Sequence, residues 1–248
     1  MKTLYKIPEA FTDRPTTYCP GCPHGIAHRL VSELLDEMDL TKKTVIVWPV
    51  GCSVFGYYFI GTDAVEAAHG RACAMATGIK RSHPESFVMT YQGDGDLASI
   101  GIAETVHAAA RGERISVIYV NNGNYGMTGG QMAPTTLLGQ VTTTSPYGRE
   151  ALANGFPLKV PEMLAAIDGP AYIARAALDS PKHIIQAKKF IKRAFTAQRK
   201  ELGFSLVELI SSCPTNWKMT PEEALKRIKN QVLPVFPIGE LKVDEEVE

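Results

Sequence analysis

Two short stretches hold residues whose types and spacing could do chemistry. Gly93-Asp94-Gly95-Asp96 sets two carboxylates among glycines, and Asn121-Asn122-Gly123-Asn124 follows about thirty residues later. Asp94, the Asn122 amide oxygen and a nearby backbone carbonyl form a hard, all-oxygen set. Such a set suits Mg²⁺ if a ligand's phosphates and a water complete the octahedron. The glycines let backbone N–H groups approach the same phosphates, so the pattern expects a diphosphate clamped through a metal. Alone, each stretch also reads as a turn, and Asn-Gly is a strong hairpin signal. Residues 124–130 do not supply the second strand that a hairpin would need.

The cysteines form a second set. Cys19 and Cys22 make a CxxC pair, while Cys52 and Cys213 each stand just beyond a predicted strand. Four thiolates can therefore meet at one sheet edge, as ligands of a 4Fe-4S cluster or equally of a zinc ion. His24 and His28, four residues apart, offer another zinc set with the CxxC, but it would leave Cys52 and Cys213 idle. Cys73, within the helical Ala72-Cys73-Ala74-Met75, reads as a small buried residue.

Bringing these residues together takes a sheet. Ser86 to Gln92 and Ile115 to Val120 are short, β-rich apolar runs, and Leu97 to Arg111 between them has alanine and other apolar residues at helical spacing. Strand, helix, strand makes the two strands parallel, so both end on the edge where open α/β sheets bind ligands. Further strands are expected at Thr44–Val50, Ala171–Leu178 and Phe204–Ile210. Helices are expected at Ile26–Met38, at Ala64–Lys80 with an interruption near His69-Gly70-Arg71, at Pro161–Ile167, from Pro181 to about Leu202, and from Thr220 to roughly Gln231. The fold class is α/β, a parallel sheet with helices on both faces. Residues 1–248 read as a single domain with an extended arm (1–17) that could wrap a neighbour and a helical C-terminal extension (220–248) whose acidic tail frays beyond Gly239. Met132 to Pro157 is a long loop rich in Thr, Pro and Gly, expected to close the site or meet a partner.

Composition narrows the class. Twenty-six basic and twenty-six acidic side chains cancel, which gives no reason to propose nucleic acid or an anionic membrane as partner. Thr44 to Thr62 carries no charge over nineteen residues. It holds Pro49, Gly51, Gly56 and Gly61, however, and so reads as strand, turn and loop rather than a membrane span. A cytoplasmic, soluble protein is expected, in which five cysteines favour metal binding or catalysis over disulfides. Pro181 to Lys200 contains seven basic residues and no carboxylate, a solvated face or a docking surface for an acidic electron carrier.

GDGD followed by NN resembles the thiamine-diphosphate signature, and YGMTGGQ after it is similar to the β subunit of the 2-oxoacid:ferredoxin oxidoreductases. The resemblance implies Asp94, the Asn122 side chain and the Asn124 carbonyl as Mg²⁺ ligands. It further implies Gly93, Gly95, Asp96, Gly126, Met127 and Thr128 along the diphosphate and thiazolium end, with His69 near the diphosphate and Cys52 and Ser53 as further contacts. YCPGC, VGCS and SCPTNW look like the family's cluster-binding segments, which implies a 4Fe-4S cluster on Cys19, Cys22, Cys52 and Cys213.

The activity so implied is oxidative decarboxylation of a 2-oxoacid with coenzyme A, giving acyl-CoA and CO₂, with electrons leaving through the cluster to ferredoxin. No catalytic residue is expected here, because the activating glutamate would come from a partner α subunit, with γ or δ subunits as possible companions. YCPGCPHGIAHRLV and YGMTGGQMAPTT are similar to members acting on 2-oxoglutarate or branched-chain 2-oxoacids, and Met127 departs from the pyruvate enzymes. Two other classes compete. A non-oxidative thiamine decarboxylase or synthase subunit has no use for four converging cysteines, and a zinc-stapled Mg-nucleotide module should carry a GKS or GKT lysine motif, which is absent.

Overall fold

In the computed structural model, residues 6–247 are described. Chain order is α1 (His24–Glu37), β1 (Thr44–Pro49), β2 (Asp63–Ala67), α2 (Ala72–Ser82), β3 (Phe87–Gly93), α3 (Ile102–Ala110), β4 (Ser116–Asn121), α4 (Ala151–Asn154), α5 (Val160–Ala165), β5 (Pro170–Ala177), α6 (Pro181–Arg199), β6 (Phe204–Ile210), α7 (Pro214–Trp217), α8 (Pro221–Arg227) and β7 (Gly239–Val243). The strands form one sheet in the order β2-β1-β3-β4-β6-β5-β7. All neighbours are parallel except β5 and β7.

Strand residues point alternately to two apolar layers. Met89 and Tyr91 of β3 join Leu30, Leu34, Phe190 and Phe195 from α1 and α6 on one face. Val88 joins Cys73, Ala76, Ala108, Val160 and Leu164 from α2, α3 and α5 on the other. Helices thus cover both faces, as a nearly all-parallel sheet demands of strands buried throughout. The central strands β3, β4 and β6 are adjacent, and their carboxyl ends open onto one edge.

Two expectations need correction. Residues 63–67 are an edge strand paired with β1, not the first part of a helix that ends near Lys80. Alanines favour helix locally, but the open edge of β1 supplies a ladder that overrides so weak a preference. The end of the chain is held rather than frayed. Beyond Gly239 it adds β7 to β5, Lys242 Nζ donates to the Ile167 and Asp168 carbonyls, and Val247 is buried. Within 220–248 helix runs to residue 232, β7 follows, and a further helical turn spans Glu245–Val247. The N-terminal arm falls partly outside the described residues. Within them it lies on its own chain, with Ala10 buried and its N–H, like that of Glu9, donating to the Asp36 carboxylate on α1.

Between β3 and α3 the chain makes a widened π-type turn, Asp96–Ile100, instead of passing straight into helix. Such turns recur at functional sites. The turn ends at a position only glycine fits: a Cβ on Gly101 would stand 2.8 Å from the Asp96 carbonyl and 2.9 Å from that of Gly70.

Candidate functional site

At the carboxyl edge the loops after β1, β3 and β4 surround a cavity of about 280 Å³. Its lining includes Cys52, Ser53, His69, Gly93, Asp94, Gly95, Asp96, Asn122, Gly126, Met127 and Thr128, all eleven positions expected to touch a cofactor, together with Asn124. His24, Val50, Gly51, Val120 and Tyr125 complete it.

Asp94 is its electrostatic centre. The carboxylate is buried; Oδ2 accepts from Gly123 N and Thr135 Oγ1, both at 2.7 Å, and Oδ1 accepts from Gly95 N at 3.0 Å. Burial pushes its carboxyl up to about 6, against the opposing pull of those hydrogen bonds. A buried carboxylate without a cation is thus held short of comfortable ionisation. Asn122 Oδ1 accepts from Asn124 N at 3.2 Å, and the Asn122 carbonyl accepts from Trp217 Nε1 at 3.1 Å. Among the described residues no hydrogen bond ends on the Asn124 carbonyl. Asp94, Asn122 and Asn124 therefore offer an all-oxygen donor set with one carbonyl unspent, beside a carboxylate whose charge a divalent cation would stabilise. The residues present fit Mg²⁺ and a diphosphate.

The glycines leave room for this. A Cβ on Gly95 would lie 2.4 Å from the Tyr125 ring, and one on Gly126 would lie 3.1 Å from Cys52 Sγ. Asp96 does something different. Its carboxylate accepts from Gly70 N and Gln92 Nε2 and stands 3.5 Å from His69 Nδ1, so it ties the His69-Gly70 bend to β3. His69 Nδ1 lies 2.7 Å from the Val50 carbonyl and is the donor there, which leaves Nε2 for the cavity. Ser53 Oγ is spent on the Pro49 carbonyl and Thr128 Oγ1 on Gln131.

Cys52 belongs to both sets, since it lines the cavity and its carbonyl accepts from Tyr18 OH, one residue before the CxxC. Cys22 is raised to about 12 and Cys52 to about 11, by burial first and then by the neighbouring thiols; Cys213 is raised chiefly by burial. Cys22 N donates to the Cys19 carbonyl in one turn, Tyr18 ties that turn to Cys52, and Cys52 and Cys213 both stand beside Gly126. Asn216 Nδ2 bridges the sets, donating to the Gly126 carbonyl at 2.9 Å and to Cys213 Sγ at 3.4 Å. Among the described residues no three His, Cys, Asp or Glu side chains close on a single ion. A multi-iron cluster spaces its thiolates more widely than one ion does, and the donors available at this end of the cavity, all thiols, are of the kind such a cluster takes.

His24 and His28 turn away from metal. His24 Nδ1 pairs with Tyr91 OH at 2.8 Å and its ring stacks on Tyr18, while both His28 nitrogens, buried among Tyr18, Trp48, Phe59 and Tyr91, have no hydrogen-bond partner among the described residues. Cys73 is buried away from the other thiols.

Residues 132–157 buttress the site. Thr136 Oγ1 and Gln140 Nε2 donate to the Gly123 carbonyl at 2.7 and 3.2 Å, and Thr135 reaches Asp94. Buried Arg149 organises the loop by donating to the carbonyls of Pro134, Thr136, Gly155 and Phe156. Sequence alone missed Thr135, Tyr125, Asn216 and Trp217. The last two lie within the SCPTNW segment, where a signal was present but was used only for its cysteine.

The model of the thiamine pyrophosphate enzyme C-terminal TPP binding domain matches residues 49–209. The 2-oxoglutarate synthase subunit KorB of Archaeoglobus fulgidus is 37% identical over 215 residues, 87% of this chain and 76% of KorB. A solved 2-oxoglutarate:ferredoxin oxidoreductase from Magnetococcus marinus, with 2-oxoglutarate, coenzyme A and succinyl-CoA bound, superposes with a TM-score of 0.81 at 27% identity, covering 98% of this chain and 86% of that one. The chain belongs to the thiamine-diphosphate-binding β subunits of the 2-oxoacid:ferredoxin oxidoreductases. Within this β-subunit family it is 48% identical over 223 residues to the ketoisovalerate oxidoreductase subunit VorA of Methanothermobacter thermautotrophicus. It spans 47% of that relative's length. Among the described residues no helix is long and apolar enough to cross a membrane.

Proposed function

We propose that this chain is the diphosphate-binding half of an enzyme that oxidatively decarboxylates a 2-oxoacid to acyl-CoA and CO₂ and passes the electrons through a 4Fe-4S cluster to ferredoxin. The single observation that carries this reading is one cavity in which Asp94, Asn122 and Asn124 face the glycine turns and which Cys52 also lines, tied by Tyr18 to the CxxC turn.

Asp94, the Asn122 amide and the Asn124 carbonyl would hold Mg²⁺ and through it the diphosphate, with His69 and backbone N–H groups nearby. Cys19, Cys22, Cys52 and Cys213 would hold the cluster. Thiamine diphosphate, when bound, supplies the electron sink that lets a 2-oxoacid lose CO₂. This chain's residues would orient that group, set Val50, Val120 and Met127 along its apolar side, and bring Cys52 into the same cavity. No carboxylate beyond Asp94 and Asp96 lines the cavity, so the glutamate that activates the cofactor is assigned to a partner subunit, and the chain alone should be inactive. The higher identity to a ketoisovalerate subunit than to KorB favours a branched-chain 2-oxoacid over 2-oxoglutarate.

The test is anaerobic purification of the assembled protein. About four irons per chain, a brown colour and Mg²⁺-dependent binding of thiamine diphosphate support the reading. A colourless zinc protein that ignores thiamine diphosphate overturns it.

A further inference from the structure

A line of buried polar groups crosses three strands and ends at the cavity. Arg175 on β5 and Glu208 on β6 are register partners, both fully buried. The guanidinium donates through Nε to Glu208 Oε2, and through Nη1 and Nη2 to the Glu162 carboxylate at 2.8 and 2.6 Å. The second Glu208 oxygen, Oε1, accepts from Asn121 Nδ2 at 2.7 Å. Asn121 Oδ1 in turn accepts from Gly123 N at 3.2 Å, and the same N–H reaches Asp94 Oδ2 at 2.7 Å.

The chemistry of the groups gives this line a direction. A carboxylate only accepts, so Asn121 must present its NH₂ to Glu208 and its oxygen to the Gly123 N–H. A flipped amide would set acceptor against acceptor at Glu208 and donor against donor at the Gly123 N–H. Glu208 cannot turn, because Arg175 holds its other oxygen, and Arg175 is fixed by the fork from Glu162. An apolar pair of similar volume is often no less stable than a buried ion pair, so packing alone does not call for these charges. The bond from Asn121 to Glu208 does.

We propose that Glu208, clamped by Arg175 and acting through Asn121, is a positioning residue that fixes the Gly123 turn and Asp94 in the geometry that receives a diphosphate-bound divalent cation. It touches neither cofactor nor substrate, and its effect is on the cation site. The proposal rests on the reading of the cavity given above.

The test uses the assembled protein in three forms, Asn121→Ala, Arg175→Met with Glu208→Leu, and Glu208→Gln. Binding of thiamine diphosphate is followed calorimetrically against Mg²⁺ concentration. The Mg²⁺ midpoint should rise roughly tenfold or more in Asn121→Ala and in the double variant, as loss of a ligand's supporting partner does elsewhere. Combining the two should add little, because they act along one line. Glu208→Gln keeps the volume, so it carries the test if the double variant does not fold, and its midpoint should shift in the same direction. Melting temperatures that fall while the Mg²⁺ midpoint stays at the wild-type value would reduce the line to a structural feature and overturn the proposal. A wild-type protein that binds no thiamine diphosphate at any Mg²⁺ concentration would overturn the functional reading itself.

Discussion

Asp94 must carry a negative charge where burial opposes one, and that conflict has a measurable consequence. Its carboxyl stands at about 6, above the ordinary carboxylate range, so the metal-free fold favours the protonated form. Its contribution to stability is therefore full below the ordinary carboxyl value and is lost as pH rises through about 6, a change on the order of 3 kcal/mol. Metal-free protein should melt at a lower temperature near pH 7 than near pH 5 on this account, and Mg²⁺ with thiamine diphosphate should remove the difference. Mg²⁺ affinity should weaken as pH falls below about 6, because the ligand must first lose its proton. A midpoint that does not move with pH would contradict the role of Asp94. Gly95→Ala puts a methyl 2.4 Å from the Tyr125 ring, which forms a cavity wall. The ring must shift, and binding of thiamine diphosphate should weaken severalfold with little loss of melting temperature. That Asp94, Asn122 and Cys52 meet at one sheet edge was legible from residue type and spacing. Thr135 was not, since a threonine 41 residues beyond the carboxylate it serves leaves no periodic trace.

The elements differ in how far local sequence determines them. The unit from β3 through β4 was legible because its apolar runs are bounded by glycine and its helix is rich in alanine. β2 and β7 were not, since both are short edge strands whose pairing depends on partners far along the chain. Removing residues 239–248 should leave the edge of β5 open, release Arg193 and Tyr172 from Glu240, and promote aggregation on mild heating, measured by light scattering. If such a truncation stays monodisperse and melts at the full-length temperature, β7 contributes nothing to the sheet. The loop 132–157 stood out by its length, but nothing local marked Arg149 as its centre. Arg149→Met keeps most of the side chain's apolar bulk and removes every bond to the loop carbonyls. Limited proteolysis should then cut between residues 137 and 157 at a rate about tenfold above that of the parent, as a loop freed of several hydrogen bonds opens more often. An unchanged cleavage rate would show that the loop holds without it.

For the whole molecule, the basic run of α6 separates into two kinds of charge. Lys188 is held by Glu33 and Glu37 of α1, and Arg193 by Glu240, so these cations serve the fold. Lys182, Lys189 and Lys192 stay exposed on the same helix. If an acidic electron carrier docks there, Lys189→Glu with Lys192→Glu should slow its reduction and flatten the ionic-strength dependence, with melting unchanged. An unaltered salt dependence would leave α6 a solvated face. The parallel sheet brings the Gly93 and Asn121 turns together at one cavity, and on the function proposed for this chain that cavity is the diphosphate half of an active site completed by a second subunit. The most direct test of that claim is to load the assembled protein with thiamine diphosphate and Mn²⁺ in place of Mg²⁺ and record the metal's magnetic coupling to phosphorus and to the protein. Phosphorus coupling that disappears in Asp94→Ala and in Asn122→Ala is the result expected. Coupling that survives both substitutions would mean that the diphosphate and its metal lie elsewhere.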